Sequence, residues 1–270
     1  KGVIVNENDI VNVENLEKLY DLKLLGVEVI SLIDWFDKEY HRIPTDFIEN
    51  NYQLIKKLKS IEDNYHNRIK RLGDIFVSLT IIFITLPVIV LVGFLIYLED
   101  KGPIFYTQKR SGLNGKIIKI IKFRSMHVDA EIEGIQWSKN NDKRITRIGR
   151  ILRAVRIDEL PQLFCVLLGS MSLIGPRPER PEIEKNLFKK VPYYKSRYIL
   201  KPGISGWAQV NYHYGASVSD TKQKLSYDIY YISNFSFFLD LLIFFKTIKL
   251  VLNAKGYKPK NIIDNNSNTN

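Results

Sequence analysis

"IFVSLTIIFITLPVIVLVGFLIYL", from Ile75 to Leu98, is 24 consecutive residues without a charged side chain. A straight helix of that length reaches about 36 Å, and the hydrocarbon core of a bilayer is about 30 Å thick. The run reads as a membrane segment; the competing reading is the core helix of a soluble protein. Pro87 stands at its centre. A proline there lacks the backbone N–H, and its ring clashes with the preceding turn, so it breaks or kinks the helix. Each half then reaches only about 17 Å. Both flanks are basic, with Arg68, Lys70 and Arg71 before and Lys101, Lys109 and Arg110 after. Each flank asks for the cytoplasmic side. A helix–break–helix that enters and leaves by the same face satisfies both, and this re-entrant form is the expectation; a kinked span is the alternative.

The 270 residues leave room for one large domain or two small ones. Residues 1–66 hold 8 Lys/Arg against 13 Asp/Glu, a net of −5, and the whole chain carries +11, so the remainder carries +16. A block so basic favours an anionic partner: nucleic acid, acidic lipid or a phosphorylated substrate. The single cysteine, Cys165, sits in an apolar run and reads as a core residue. It excludes an internal disulfide framework and a Cys-based zinc site. The chain starts at Lys1 without a signal-peptide pattern, which reads as a fragment of a longer protein.

Upstream of the apolar run, "GVEVISLI" (Gly26–Ile33) reads as a buried strand and "FIENNYQLIKKLK" (Phe47–Lys59) as a helix after the break at Pro44. Residues 1–66 are therefore expected to be the end of an α/β domain plus a connecting helix, and 67–100 the membrane segment. Downstream, strands are expected around Ile104–Gln108 and Ile117–Phe123, joined by a turn at Gly112–Gly115. "RITRIGRILRAVR" places Arg at 144, 147, 150, 153 and 156. Steps of three drift around a helix, so these arginines form no single stripe; some face outward and some turn toward a site. The segment Phe235–Leu252 is interrupted by Asp240 and Lys246. It reads as an amphipathic helix at the interface or packed on the core. Tyr230, Tyr231, Phe237 and Phe238 suit either headgroup depth or the core. Residues 259–270 are polar and read as a disordered tail. The fold class expected is α+β, mainly helical, with a membrane-associated catalytic domain over 101–258.

"RIDELPQLFCVLLGSMSLIGPRPERP" (Arg156–Pro181) sets two adjacent carboxylates, Asp158 and Glu159, among arginines. An acidic start, Pro161, an apolar body and Gly169 read as a helix with Asp158 at or near its N-cap. The plain role for such an Asp is capping. The same place also suits phosphate chemistry, because a helix N-terminus favours anions and keeps an Asp ionised, as an aspartyl nucleophile requires. Attack on a diphosphate needs its charge neutralised by Arg, Lys or Mg²⁺. Glu159 could help hold that metal, and Lys122, Arg124, Arg153 and Arg177 are candidates for the phosphates.

"KRLGDIFVS", "GPIFYTQKRSGLNGKIIKIIKFRSM", "RIDELPQLFCVLLGSMSLIGPRPE" and "KPGISGWAQVNYHYG…YDIYYISNFSFFLDLLIFFKTI" occur in that order. The chain resembles, over about Arg68 to Lys258, the bacterial sugar transferases, the polyprenyl-phosphate phosphoglycosyl transferases that start exopolysaccharide, capsule or O-antigen units. Residues 1–66 resemble the end of the domain that precedes the catalytic part in large members. The resemblance implies that a UDP-sugar gives its sugar 1-phosphate to undecaprenyl phosphate, with Mg²⁺ and release of UMP. It implies Asp158 as the nucleophile that forms a covalent phospho-sugar, and Glu159 as its metal- or proton-handling partner. It implies phosphate contacts from Lys122 and Arg124 of "KFR", from Arg153, and from Arg177 of the turn Pro176–Arg177–Pro178. It implies a bacterial inner-membrane location with the catalytic domain on the cytoplasmic face, among membrane lipids, and leaves a homodimer open. The family breaks its membrane helix at a Ser-Pro or similar step. Here the step is Leu86-Pro87, with Thr85 as the nearest hydroxyl and Ser78 well upstream. The family also places Ser or Thr two residues before the nucleophile; Arg156 stands there instead and is assigned no role.

Two rival classes account for less. A nucleic-acid binder explains +16, but it needs neither a 24-residue apolar run nor an acid pair among its arginines. A membrane scaffold explains the apolar run and the charge, but not the set of motifs. Nothing in "NYHYGASVSD" reads as a code for one sugar.

Overall fold

The computed structural model describes residues 2–6, 13–48, 57–58, 64–130, 142–212 and 217–252. Most of the helix expected over Phe47–Lys59, and all of the tail expected over 259–270, lie outside the described residues. What is described is mainly helical, with three two-stranded sheets.

At the N-terminal end, β1 (Gly2–Val5) and β2 (Glu28–Ser31) pair in parallel across α1 (Val13–Leu24). The expected strand over Gly26–Ile33 is shorter and only half-buried. Gly26, at φ +78°, ends α1. Ser31 accepts a bond from the Asp34 N–H at 3.0 Å and caps a single helical turn, α2 (Leu32–Trp35), so Leu32 and Ile33 leave the strand. The chain then crosses to the main body. Ile33, Ile43 and Ile48 are buried in one core with Leu187, Val191, Tyr194, Leu225 and Ile229, and the Ile43 N–H donates to the Ser226 carbonyl at 2.9 Å.

Helix α3 runs from Asn64 to Asp100 with Pro87 inside it. It is long and apolar enough to cross a membrane. The helix carries Pro87 within it and is not divided into two elements there; a proline inside a helix bends it without ending it. An apolar segment offers its backbone groups no better partner than the helix itself, so the ladder resumes on both sides of the missing donor. Thr85 bonds back to the Ile81 carbonyl at 2.7 Å on the same turn.

Both ends of α3 are held by the same body. Near the start, Arg71 donates to the carbonyls of Val166 and Leu167 at 2.5 and 2.7 Å. Asp74 accepts from the Leu173 N–H at 3.2 Å. Near the end, Val92 and Ile96 pack with Phe123 and Leu152, and Asp100 pairs with Arg124. Between these anchors Phe76, Phe83, Ile84 and Val90 are exposed.

Strands β3 (Phe105–Ser111) and β4 (Ile117–Phe123) form the expected hairpin, with Tyr106 opposite Lys122. Asn114 and Gly115 turn it at φ 55° and 72°. Helix α4 (Arg147–Ala154) is capped by Thr146, whose hydroxyl accepts from the Gly149 N–H at 2.9 Å. A Cβ on Gly149 would stand 2.1 Å from the Ser125 carbonyl oxygen, so only glycine lets α4 lie this close to the end of the hairpin. The arginines divide as the drift predicts: Arg147 and Arg150 are exposed, whereas Arg153 and Arg156 are partly buried.

After α5 (Gln162–Leu167), which buries Cys165, come β5 (Ser172–Ile174), α6 (Pro181–Lys190) and β6 (Gly203–Ser205), which lies parallel to β5. The chain finishes with α7 (Trp207–Asn211), α8 (Val218–Asn234) and α9 (Phe237–Leu252). In α9 both interrupting charges turn inward. Asp240 pairs with Lys70 at 2.5 Å, and Lys246 donates to Asn211 at 2.9 Å while lying over the Trp207 ring. Phe237, Phe238, Phe245 and Leu252 are left exposed. Tyr231 is core, its hydroxyl donating to Asp240, and Tyr230 stacks on Trp207; of the four aromatics considered for headgroup depth, only the two phenylalanines face outward.

Candidate active site

Asp158 and Glu159 lie in a 3₁₀ turn, Ile157–Glu159, ahead of α5. The expected capping role for Asp158 is corrected by this placement, because α5 begins three residues after the pair and Asp158 caps nothing. The chain stays in i→i+3 steps here, Glu159 N–H to Arg156 O at 3.2 Å and Leu160 N–H to Ile157 O at 3.1 Å, and Pro161 has no N–H to offer a capping side chain. Arg156 enters the turn at φ 56°, a left-handed conformation that non-glycine residues rarely take.

Both acids are buried, at 8% exposure each, which decides their electrostatics. Glu159 is paired twice. Lys122 Nζ, reaching from β4, stands 2.9 Å from Oε1. Arg177 binds the same carboxylate through both Nη atoms. Burial alone would push Glu159 up, but Arg177 and Lys122 overcome it and hold this carboxyl well below its usual range. Burial pushes Asp158 the other way, to about 6, helped by the charge of Glu159 and opposed by Lys122, Arg153 and Arg177. Two adjacent carboxylates thus have opposite characters: one a fixed anion, the other an acid that titrates near neutrality.

The structure brings together Asp158, Glu159, Lys122 and Arg177, with Arg153 contributing its charge to Asp158. It does not bring Arg124 to Glu159. Arg124 is 7% exposed, and its ion pair is with Asp100 at the end of α3. Pro87 lies in the exposed middle of α3. Sequence reading missed Arg156, whose charge acts on both acids, and it missed Arg197 and Arg110, which hold the turn around Arg177. Arg156 could have been found from the density of positive charge beside the acid pair; Arg110 and Arg197, far from it in sequence, carried no such signal.

Among the described residues, no three His, Cys, Asp or Glu side chains converge as a metal cage. The acid pair offers two carboxylates, one already held by two cations. Such a set fits a Mg²⁺ that arrives on a diphosphate, because this ion keeps several waters and takes one or two carboxylates alongside substrate phosphates.

A buried carboxylate raised in pKa, an ionised carboxylate beside it and converging cations thus come together on a domain anchored to both ends of an apolar helix. The family model described as bacterial sugar transferase matches residues 65–254, and the chain belongs to that family. An Aeromonas hydrophila protein named UDP-N-acetylgalactosamine-undecaprenyl-phosphate N-acetylgalactosaminephosphotransferase is 46% identical over 188 residues, 70% of this chain and 44% of that protein. The undecaprenyl-phosphate glucose phosphotransferase of Komagataeibacter xylinus is 39% identical over 186 residues, 67% of this chain and 35% of that one. The exopolysaccharide production protein PSS of Rhizobium leguminosarum bv. phaseoli is 41% identical over 196 residues, 70% of this chain and 98% of its own length. The chain therefore spans less than half the length of the first two relatives.

Proposed function

We propose that this protein moves a sugar 1-phosphate from a UDP-sugar to undecaprenyl phosphate at the cytoplasmic face of a bacterial inner membrane, in the first membrane step of a surface polysaccharide. The observation that supports this most is the split between the two acids, Asp158 raised to about 6 and Glu159 held ionised. A carboxyl near 6 is largely ionised at neutral pH, yet it lies in a buried site beside cations that suit phosphate oxygens.

In the first half-reaction an Asp158 oxygen attacks the sugar-bearing phosphorus. The bond from that phosphorus to the bridging oxygen breaks, and UMP leaves with the electron pair. In the second, an oxygen of undecaprenyl phosphate attacks the same phosphorus. The aspartyl–phosphorus bond breaks, the Asp158 carboxylate returns and the diphospho-sugar lipid departs. Lys122, Arg153 and Arg177 neutralise phosphate oxygens through both steps. Glu159, already ionised and paired, keeps Lys122 and Arg177 aimed. Asp158 and Glu159 would hold a Mg²⁺ carried by the diphosphate, which when bound supplies further charge neutralisation.

Apolar helix α3 supplies the membrane attachment. Its two ends grip one domain, through Arg71 and Asp74 on one side and Val92, Ile96 and Asp100 on the other. That supports a re-entrant path, since one compact domain does not sit on both faces of a bilayer. The exposed phenylalanines of α9 suit the same interface. The names of the relatives carry N-acetylgalactosamine in one case and glucose in another; a panel decides the sugar here. The test is UMP release across a panel of UDP-sugars with undecaprenyl phosphate, together with trapping of a labelled sugar phosphate on the protein. Release with one sugar, and label that Asp158→Asn abolishes, are the expected results. No release with any sugar overturns the reading.

A further inference from the structure

The turn that presents Arg177 is poor in donors of its own. Pro176 and Pro178 have no backbone N–H, so the segment is tied down mainly through its carbonyls. Four successive carbonyls are taken. Pro176 O accepts from the Gly203 N–H at 3.0 Å, and Glu179 O from the Ser111 N–H at 3.0 Å. Between them, Arg177 O accepts from Arg197 Nη2 at 2.5 Å, and Pro178 O from Arg110 Nη1 at 3.2 Å. The two central bonds are thus made by partly buried guanidinium groups, neither of which reaches Glu159.

Arg197 is itself held on its other nitrogens. Nε donates to Asp228 Oδ2 at 2.8 Å, and Nη1 to the Tyr194 hydroxyl at 2.6 Å. Asp228 is 2% exposed on α8, between Leu225 and Ile229. Those two residues and Tyr194 form one core with Ile33, Ile43 and Ile48, and Ile43 also bonds the backbone of Ser226. Residues 33–48 precede the stretch that matches the family model, which begins at residue 65. A strap from outside that stretch therefore closes the core carrying both anchors of Arg197.

We propose that Arg197 is a positioning residue for Arg177, and that the strap over residues 33–48 fixes Arg197 by holding Tyr194 and Asp228. The line of contact runs from Ile43 to Tyr194 and α8, then to Arg197, the Arg177 carbonyl and Glu159. Arg177 donates to Glu159, so a displacement of its backbone displaces the charge that Glu159 and the substrate phosphates meet. The inference rests on the reading of Arg177 as a phosphate ligand.

Two measurements on the full chain test it. In the first, Arg197→Lys keeps the buried charge but loses the fixed fork, and UMP formation should fall about 10- to 100-fold, the scale of a misplacement near 1 Å. Tyr194→Phe and Ile43→Val should give smaller losses. In an Arg177→Ala background Arg197→Lys should cost nothing more, because the two act as one unit. In the second, amide hydrogen exchange at Gly203 and Ser111 reports the order of the turn without any turnover. Arg197→Lys and Ile43→Val should both speed it, with melting temperatures near that of the parent. Losses that multiply with Arg177→Ala, or parental exchange at both amides in a folded Arg197→Lys, overturn the proposal. Should Arg197→Lys fail to fold, Tyr194→Phe takes its place in both measurements with the same criteria. If the parent releases no UMP at all, the functional reading falls, and exchange at the two amides still decides the positioning role.

Discussion

Lys122 Nζ on β4 stands 2.9 Å from Glu159 Oε1 on the turn before α5. This contact links the hairpin to the acid pair and fixes the character of both acids. Glu159, bound here and by Arg177, stays charged; Asp158 is left to carry the change in protonation. In a pair of coupled acids, a group of cations that favours one member leaves the other to titrate higher.

Asp158→Asn should remove essentially all UMP release while leaving the fold near normal. The amide is nearly isosteric, and Asp158 has only weak structural duties because it caps no helix. Arg153→Ala and Arg177→Ala should each leave a slow but measurable rate, since each removes one of several cations around the phosphates. The measurement is single-turnover UMP formation with all variants matched for thermal stability. Substantial turnover by Asp158→Asn would move the nucleophile elsewhere.

The rate should fall on the acid side with a midpoint near 6, because Asp158 attacks only when ionised and its carboxyl is raised to about 6. The direction of change in variants follows from the causes of that shift. Lys122→Met removes a charge that lowers Asp158, so the acid limb should move to higher pH. Glu159→Gln removes a charge that raises Asp158 and frees two cations, so the limb should move to lower pH, with a reduced plateau from lost aim. Profiles of kcat/KM for the three proteins check this. Limbs that do not move, or that move in the opposite senses, would detach the pH dependence from Asp158.

The hairpin, the apolar run and the acid pair were legible because each rests on a local pattern: alternation bounded by Asn114 and Gly115, a charge-free run, and two adjacent carboxylates. The capping role was misread because the rule weighs an acid followed by an apolar run, whereas a side chain at Asp158 would find no capping donor: Pro161 has no N–H and the Leu160 N–H goes to Ile157 O. Arg124 was grouped with Lys122 by proximity in sequence. Two residues apart on a strand share a face, yet Lys122 turns to Glu159 while Arg124, one residue beyond the end of β4, pairs with Asp100. Arg197 was out of reach of any local pattern, since its partners lie 3, 20 and 31 residues away.

The junction between α3 and α4 should be measurable as stability. Glu99 accepts from the N–H groups of Arg147 and Ile148 at 2.8 and 3.3 Å, and Thr146 accepts from Gly149. Thr146→Ala should cost about 1 kcal/mol as a lost cap, and Glu99→Ala about 0.3–1 kcal/mol as a lost charge at a helix start. Gly149→Ala should cost more than either, because its methyl group meets the Ser125 carbonyl and must push α4 away. Denaturant unfolding in detergent ranks the three. A Gly149→Ala protein as stable as the parent would mean that α4 does not pack this closely on the hairpin.

Arg68→Cys and Lys101→Cys, each in a Cys165→Ser background, should both resist a membrane-impermeant thiol reagent added to whole cells. The motive is that Arg71 and Asp74, close to the first site, and Asp100, beside the second, are bound by one domain. Labelling of one site alone would show a true span, with the domain contacts at one end lost in the membrane. Pro87→Ala examines how the helix reaches both anchors. It restores the N–H and removes the ring clash, so the turn at Pro87 gains a bond and stiffens. Activity should fall several-fold although Pro87 lies in the exposed middle of α3, far in sequence from Asp158, because a stiffer helix pulls against its anchors. The Arg71 contacts tie α3 to the C-terminal end of α5, and the Val92 and Ile96 contacts tie it to Phe123, next to Lys122 on β4. Strain in α3 is therefore felt on both elements that frame the acid pair. A fully active Pro87→Ala with unchanged labelling would assign the path of α3 to packing at its two ends alone.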